Sequence, residues 1–234
     1  MDIAGSTIPE SPRPKTEDTS SSAKCSNSSC ASRMIGKWLI VILISAGASY
    51  GGWQWYIRHR ANWGVVVNGE IFRSSQVSRF LIREKLETNK IAVIVSLLGK
   101  SKDDKDVDAE IQLAGELGIQ FRQYPMDGDG IADPGQYTGA LSAIIDAKQA
   151  HKPVLVHCHA GAQRTGGVIA VYRLLIEGKS IPEALTEMTS HGFNPKKNIR
   201  LLPFLNKHME HWAQELYERK IITSIPEKIP QFPL

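Results

Sequence analysis

The sequence predicts an α/β domain with a largely parallel central sheet flanked by helices, and three observations carry that expectation. Two β-branched runs, IAVIVSLL at 91–98 and PVLVH at 153–157, are almost free of polar residues, as strands buried on both faces require. Segments with apolar residues at helical spacing lie between and after them, several with cap signals. Strands alternating with helices build a parallel sheet. The 234 residues, 42% hydrophobic and 22% charged, suit one ordinary domain with appendages and exclude whole-chain disorder. A balance of 28 Lys+Arg against 24 Asp+Glu, with no basic block, argues against a nucleic-acid partner.

Residues 1–33 are rich in Ser, Pro, Thr and Lys and are expected to form a disordered polar tail, because they bury too little apolar surface to offset ordering. Cys25 and Cys30 have no second ligand pair nearby and read as plain exposed thiols. With only 3 Cys, an odd number, a disulfide scaffold is excluded and Cys158 stands alone in the rest of the chain. Residues 38–57, WLIVILISAGASYGGWQWYI, carry no charge and have Trp and Tyr near both ends. About 20 apolar residues cross a bilayer core, so a single transmembrane helix and a membrane location are expected. Lys24, Arg33 and Lys37 balance Arg58, Arg60 and Arg73 across it, which leaves the orientation open. A soluble domain over 61–222 and a loose Pro-rich tail over 223–234 complete the expected organisation.

Within that domain, Asn68-Gly69 suits the turn of a hairpin joining 65–67 to 70–72. Residues 77–86 are helix-like, 91–98 form a buried strand, and 104–117 read as a helix ended by Gly118. A strand over 119–126 leads into a loop with Asp127, Asp129 and Asp133. Asp133 then serves as N-cap with Pro134 in the first turn of a helix reaching about 150. After the 153–157 strand, 164–176 is helical, Ser180 and Glu183 form a capping box, and Asn194-Pro195 is expected to start a long last helix, with Pro203 a possible kink.

The junction His157-Cys158-His159-Ala160-Gly161-Ala162-Gln163-Arg164-Thr165-Gly166 is the informative segment. A strand that runs through a short loop straight into a helix turns backbone N–H groups inward above the helix's positive end and so makes an anion cradle. The residues expected to line it are His159, Ala160, Gly161, Ala162, Gln163, Arg164 and Thr165, and the small ones let the loop close around a tetrahedral anion. Cys158 lies at its floor, where amides and the helix end stabilise a nucleophilic thiolate. Arg164 presents a planar fork suited to two phosphate oxygens, and the Thr165 hydroxyl is within sequence reach of the sulfur. A metal site on His157, Cys158, His159 and His151 is disfavoured, since neighbouring strand residues face opposite ways. Arg73 reads as a structural hydrogen-bonding residue, and His191, His208 and His211 as solvated ones.

Cys158-x5-Arg164-Thr165, preceded by His157 and a Val-rich strand, resembles the signature loop of the protein tyrosine phosphatase superfamily. Phe72-Arg73-Ser74-Ser75-Gln76 is similar to the start of its compact dual-specificity branch, particularly membrane-anchored bacterial members, and the likeness extends from about 65 to 216. The resemblance implies that Cys158 attacks phosphorus to form a phosphocysteine, that Arg164 binds the phosphoryl group, and that neither metal nor other cofactor is needed. It also implies an Asp that protonates the leaving oxygen and then activates water. Asp129, beside Gly130 at the loop apex, is the first choice for its reach. Asp127 follows the strand directly, and Asp133 is already explained as a cap.

Three functions fit. The first is hydrolysis of phosphotyrosine, and of phosphoserine or phosphothreonine, in phosphoprotein substrates. The second is cleavage of phosphoinositides or another small phosphomonoester, although His159 and Gln163 stand where such relatives often carry Lys. The third is a catalytically weak phospho-binding module. A substrate panel separates the first two, and turnover separates both from the third.

Overall fold

The sheet is built from β1 (Gly64–Val67), β2 (Ile71–Ser75), β3 (Val93–Ser96), β4 (Gln120–Gln123) and β5 (Val154–Cys158), in the spatial order β1-β2-β5-β3-β4. Only the β1–β2 hairpin is antiparallel; β2–β5, β5–β3 and β3–β4 all run parallel. The computed structural model describes residues 27–99 and 104–234. The helices are α1 (Asn27–Arg60), α2 (Ile82–Thr88), α3 (Lys105–Leu117), α4 (Pro134–Gln149), α5 (Gln163–Leu175), α6 (Ile181–Ser190) and α7 (Leu201–Glu218). The expected sheet flanked by helices is therefore present.

Strand alternation sorts the side chains of the three central strands into two cores. Ile71, Val93, Val95, Val154 and Val156 join the core made with α4, α5 and α7, and Cys158 ends that row. Phe72, Ile94 and Leu155 join the smaller core that α2 and α3 cover. Because both faces are covered, β2, β3 and β5 are buried along their whole length.

Caps set the element ends largely as the sequence predicts. The Asp104 side chain accepts from Asp106 N and Val107 N, and Gly118 closes α3 in the left-handed region at φ 66°. Asp133 accepts from Gly135 N at the start of α4, and Ser180 with Glu183 forms a capping box on α6. The strands expected over 91–98 and 119–126 are shorter, and two helices start later than expected. The expected 77–86 helix begins only at Ile82, after a turn. Residues 194–198 form a turn closed by Asn198 N donating to Asn194 O, so α7 begins at Leu201 and Pro203 lies in its first turn, where proline is tolerated and causes no kink.

The chain divides into two units after Ser49. The expected disordered tail lies mostly outside the described residues, as does Cys25, while 27–33 belong to α1. The expected transmembrane anchor and membrane location are overturned: among the described residues no helix is long and apolar enough to cross a membrane. Lack of charge is not apolarity. The strongly apolar run in 38–57 is only 39–44, and Ser, Ala, Gly, Gln and aromatic residues fill the remainder. The C-terminal segment also departs from expectation, because it is docked and not loose. Asn206 clasps Phe232 from both sides, donating to its carbonyl at 2.9 Å and accepting from its N–H at 2.7 Å, and the Phe232 side chain is buried.

Candidate active site

Cys158 closes β5, fully buried, and α5 begins at Gln163 behind an Ala162 N-cap that makes no side-chain bond. The first amides of a helix have no intrahelical acceptor, so those of α5 are open to a ligand or to the sulfur's surroundings. Gly161 N donates to Cys158 Sγ at 3.2 Å, so the loop backbone holds the sulfur directly.

What turns the loop's amides inward is the anchoring of its carbonyls outward. Three consecutive carbonyl oxygens are each held by a donor from the β1–β2 region. His159 O accepts from Gln76 N at 3.3 Å, Ala160 O from Asn62 Nδ2 at 3.0 Å, and Gly161 O from Arg73 Nη2 at 2.9 Å. Gly161 has φ 70°, and a Cβ there would come within 2.7 Å of Ser75 N, so both the backbone conformation and the close approach to β2 require glycine.

Arg73 is itself fully buried, and Nη1 meets Glu187 Oε1 at 3.3 Å. Burial lowers its pKa, and Glu187 works against that shift. Glu187 also binds Arg173, whose other nitrogen donates to Val66 O, so the loop anchor continues through α6 and α5 to β1. The structural role expected of Arg73 is thus observed. Asn62 additionally donates to His191 O, and His191 Nδ1 lies 3.0 Å from Asn62 Oδ1. His191 is therefore a half-buried partner and not a solvated residue. Burial, followed by the Arg73 charge, lowers its pKa.

The remaining loop residues have distinct settings. His159 and Ala160 are exposed, while Gly161 and Ala162 are buried. Gln163 donates to Asn198 Oδ1 at 3.0 Å, which joins the loop to the turn before α7. Arg164 is half-buried, and its guanidinium has no hydrogen-bond or ion-pair partner among the described residues. Thr165 is buried, but its Oγ1 makes no hydrogen bond, so the sulfur's protein donor is Gly161 N–H and not this hydroxyl. A cleft of about 410 Å³ opens beside the loop, lined by Ser75, Gln76, Ser78, Asp106, His159, Ala160 and Tyr56.

The three candidate acids differ in surroundings. Asp129 is engaged at both oxygens: Oδ1 accepts from Ile131 N at 3.2 Å, and Oδ2 pairs with Arg200 at 2.8 Å. Asp127 is exposed, and its backbone N–H donates to Ile131 O. Asp133 is occupied as the α4 cap. Gly130, at φ 89°, packs against Gln163 and Leu201, and its carbonyl accepts from Tyr137 Oη at 2.7 Å. Tyr137 is stacked on Trp212, and its pKa is pushed up first by burial and then by Cys158 and Asp129.

Sequence reasoning missed Asn62, Tyr137 and Arg200. Asn62 adopts a positive φ of 41°, a conformation Asn tolerates. Among the described residues, no group of His, Cys, Asp and Glu is arranged to hold a metal ion.

Comparison with known proteins agrees with this geometry. The family model for the dual specificity phosphatase catalytic domain matches residues 77–218. The dual specificity protein phosphatase TpbA of Pseudomonas aeruginosa is 38% identical over 88 residues in one strain and 31% in another. Those matches span 37% of this chain and 38% of the relatives' length. The fold is also that of the TpbA crystal structure, with a TM-score of 0.53, 21% identity, and 67% of this chain and 91% of that one covered. The core catalytic domain of the PP-IP phosphatase SIW14 from S. cerevisiae gives 0.51 at 20% identity, covering 69% and 94%.

Proposed function

Because the chain belongs to the dual specificity phosphatase family, we propose that it hydrolyses phosphomonoesters, foremost protein phosphotyrosine and also phosphoserine or phosphothreonine, through a phosphocysteine intermediate. The observation that carries this reading is the buried Cys158 sulfur accepting from Gly161 N at the floor of a loop whose Arg164 has no protein partner. Cys158 Sγ attacks phosphorus, and the ester P–O bond breaks. Asp129 gives its proton to the leaving oxygen, while Arg164 and the loop amides hold the equatorial oxygens. Water then gives a proton to Asp129 and attacks phosphorus. The P–S bond breaks, and phosphate and thiolate are released with no change in oxidation state.

A second reading, a substrate bearing several phosphates such as an inositol lipid headgroup, is favoured by one observation. The turn that Gln163 binds through Asn198 also carries Lys196 and Lys197.

The test is steady-state hydrolysis of aryl phosphates by the full chain in chelator, with phosphotyrosyl peptide and phosphoinositide arms. Cys158→Ser is expected to abolish turnover, and Arg164→Ala to weaken phosphate and vanadate binding. Asp129→Asn is expected to cost about 10²–10⁴-fold on poor leaving groups, the usual contribution of general acid catalysis. An Asp127→Asn loss larger than that of Asp129→Asn transfers the acid role to Asp127. A folded chain that binds vanadate but turns over no substrate leaves only a phospho-binding module.

A further inference from the structure

On the opposite face of the sheet from Cys158 lies a buried polar layer that the chemistry above does not use. Ser74, His157 and Ser96 stand side by side on three adjacent parallel strands, in direct register, one step beyond the apolar row Phe72, Leu155 and Ile94. All three polar residues are at most 1% exposed. From α3, Glu110 enters the same layer at 2% exposure, and its Oε2 lies 3.1 Å from His157 Nε2. The approach is close, yet its alignment is poor for a hydrogen bond. Among the described residues, His157 Nδ1 and the Ser74 and Ser96 hydroxyls have no hydrogen-bond partner. A buried carboxylate in an apolar helix face is costly unless something depends on it, and an apolar side chain of similar size is often at least as stable there.

His157 immediately precedes Cys158, so the direction in which its ring is held fixes the peptide that leads into the loop. The backbone of His157 is pinned by Leu97 N donating to its carbonyl at 2.9 Å. Its ring touches no other charged group in this layer, because Arg73, the other charged residue buried in these strands, projects to the far face toward Gly161 and Glu187. We propose that Glu110 is a positioning residue for the Cys158 nucleophile, acting through His157. Its carboxyl oxygen, 3.1 Å from Nε2, holds the direction of the ring and thereby the backbone entering the anion cradle. Glu110 cannot touch substrate, since alternation puts its partner and the sulfur on opposite faces of β5. Carboxylates that orient a working histidine elsewhere are typically worth about 10–100-fold.

The inference rests on Cys158 being the nucleophile, so its test reads the thiol both with and without turnover. In the full chain, Glu110→Leu is expected to lower kcat about tenfold with KM within about twofold. It is also expected to slow alkylation of Cys158 by iodoacetate to a similar degree. Glu110→Gln, which keeps an acceptor oxygen in place, is expected to restore most of both. Adding Glu110→Ala to His157→Asn is expected to cost nothing beyond His157→Asn alone, although Glu110→Ala by itself lowers kcat as the leucine variant does, because the carboxylate then has no ring to orient. Should the leucine variant not fold, this second pair decides the matter. Unchanged kcat and alkylation in Glu110→Leu, or an additive loss in the double variant, overturns the proposal and leaves Glu110 a packing residue. If Cys158→Ser retains turnover, it is the nucleophile assignment that fails. The alkylation rates still report whether Glu110 controls this thiol.

Discussion

The loop carrying Cys158 is tied through three consecutive carbonyls to residues 62–76, and its main anchor, Arg73, is wholly buried. The loop carrying Asp129 is tied instead to α4 and to the start of α7, through the Tyr137 hydroxyl and the exposed Arg200. A cradle that must present fixed amides to an anion gains from anchors that solvent cannot loosen. The proton donor proposed there needs access to the leaving group and to water, and the Asp129–Arg200 pair is correspondingly exposed. Surface ion pairs of that kind contribute little stability, whereas a buried charge left without its partner costs a great deal.

The sharpest way to break this contrast is Arg73→Met, which orphans Gly161 O and one side of Glu187. A loss of about 3 kcal/mol in urea unfolding is expected, together with slower hydrolysis of every aryl phosphate regardless of leaving group. A variant as stable and active as its parent would show that the carbonyl anchors are dispensable. A smaller effect is expected at His191, which is neutral-favouring in the folded chain because of burial and the Arg73 charge. Its contribution is complete above the ordinary histidine value of about 6.5 and is lost as pH falls through the lower folded-state value. Between pH 7 and 5 the melting temperature should therefore drop more in the parent than in His191→Gln; equal drops would remove His191 from the anchor set. The smallest effect on stability belongs to Arg200→Ala, within about 0.5 kcal/mol for an exposed pair. Its rate loss should nonetheless be greater for phenyl phosphate than for nitrophenyl phosphate. Equal losses on the two would detach Arg200 from proton transfer.

The same contrast explains how much could be read in advance. Cys158, Arg164 and the small residues between them are contiguous, so strand–loop–helix geometry alone assembles them from a single stretch of chain. The caps at Asp133 and Ser180 are local too, and they fell where the residues indicated. The acid was ambiguous because three Asp lie within one loop, and the partner that distinguishes Asp129 is Arg200, 71 positions away. Asn62 and Glu110 were silent for the same reason: a long-range donor or a buried carboxylate has no periodic signature. The transmembrane expectation failed on chemistry and not on distance, since an uncharged stretch with Gly, Ser and Ala through its second half lacks the hydropathy its length suggested.

The strict alternation of β5 has a consequence for how this gene can change. Deleting or inserting a single residue between Val154 and His157 would exchange the two faces, sending the thiol among the side chains of α2 and α3 and turning the imidazole toward the phosphate. Such a length change would abolish catalysis even if every side chain of the loop were kept. Insertions in the turn between Asn194 and Arg200 alter only how far Lys196 and Lys197 reach. Lineages of this domain should accordingly diverge by length around the substrate's outer portion and stay invariant in length along the strand beneath its phosphate.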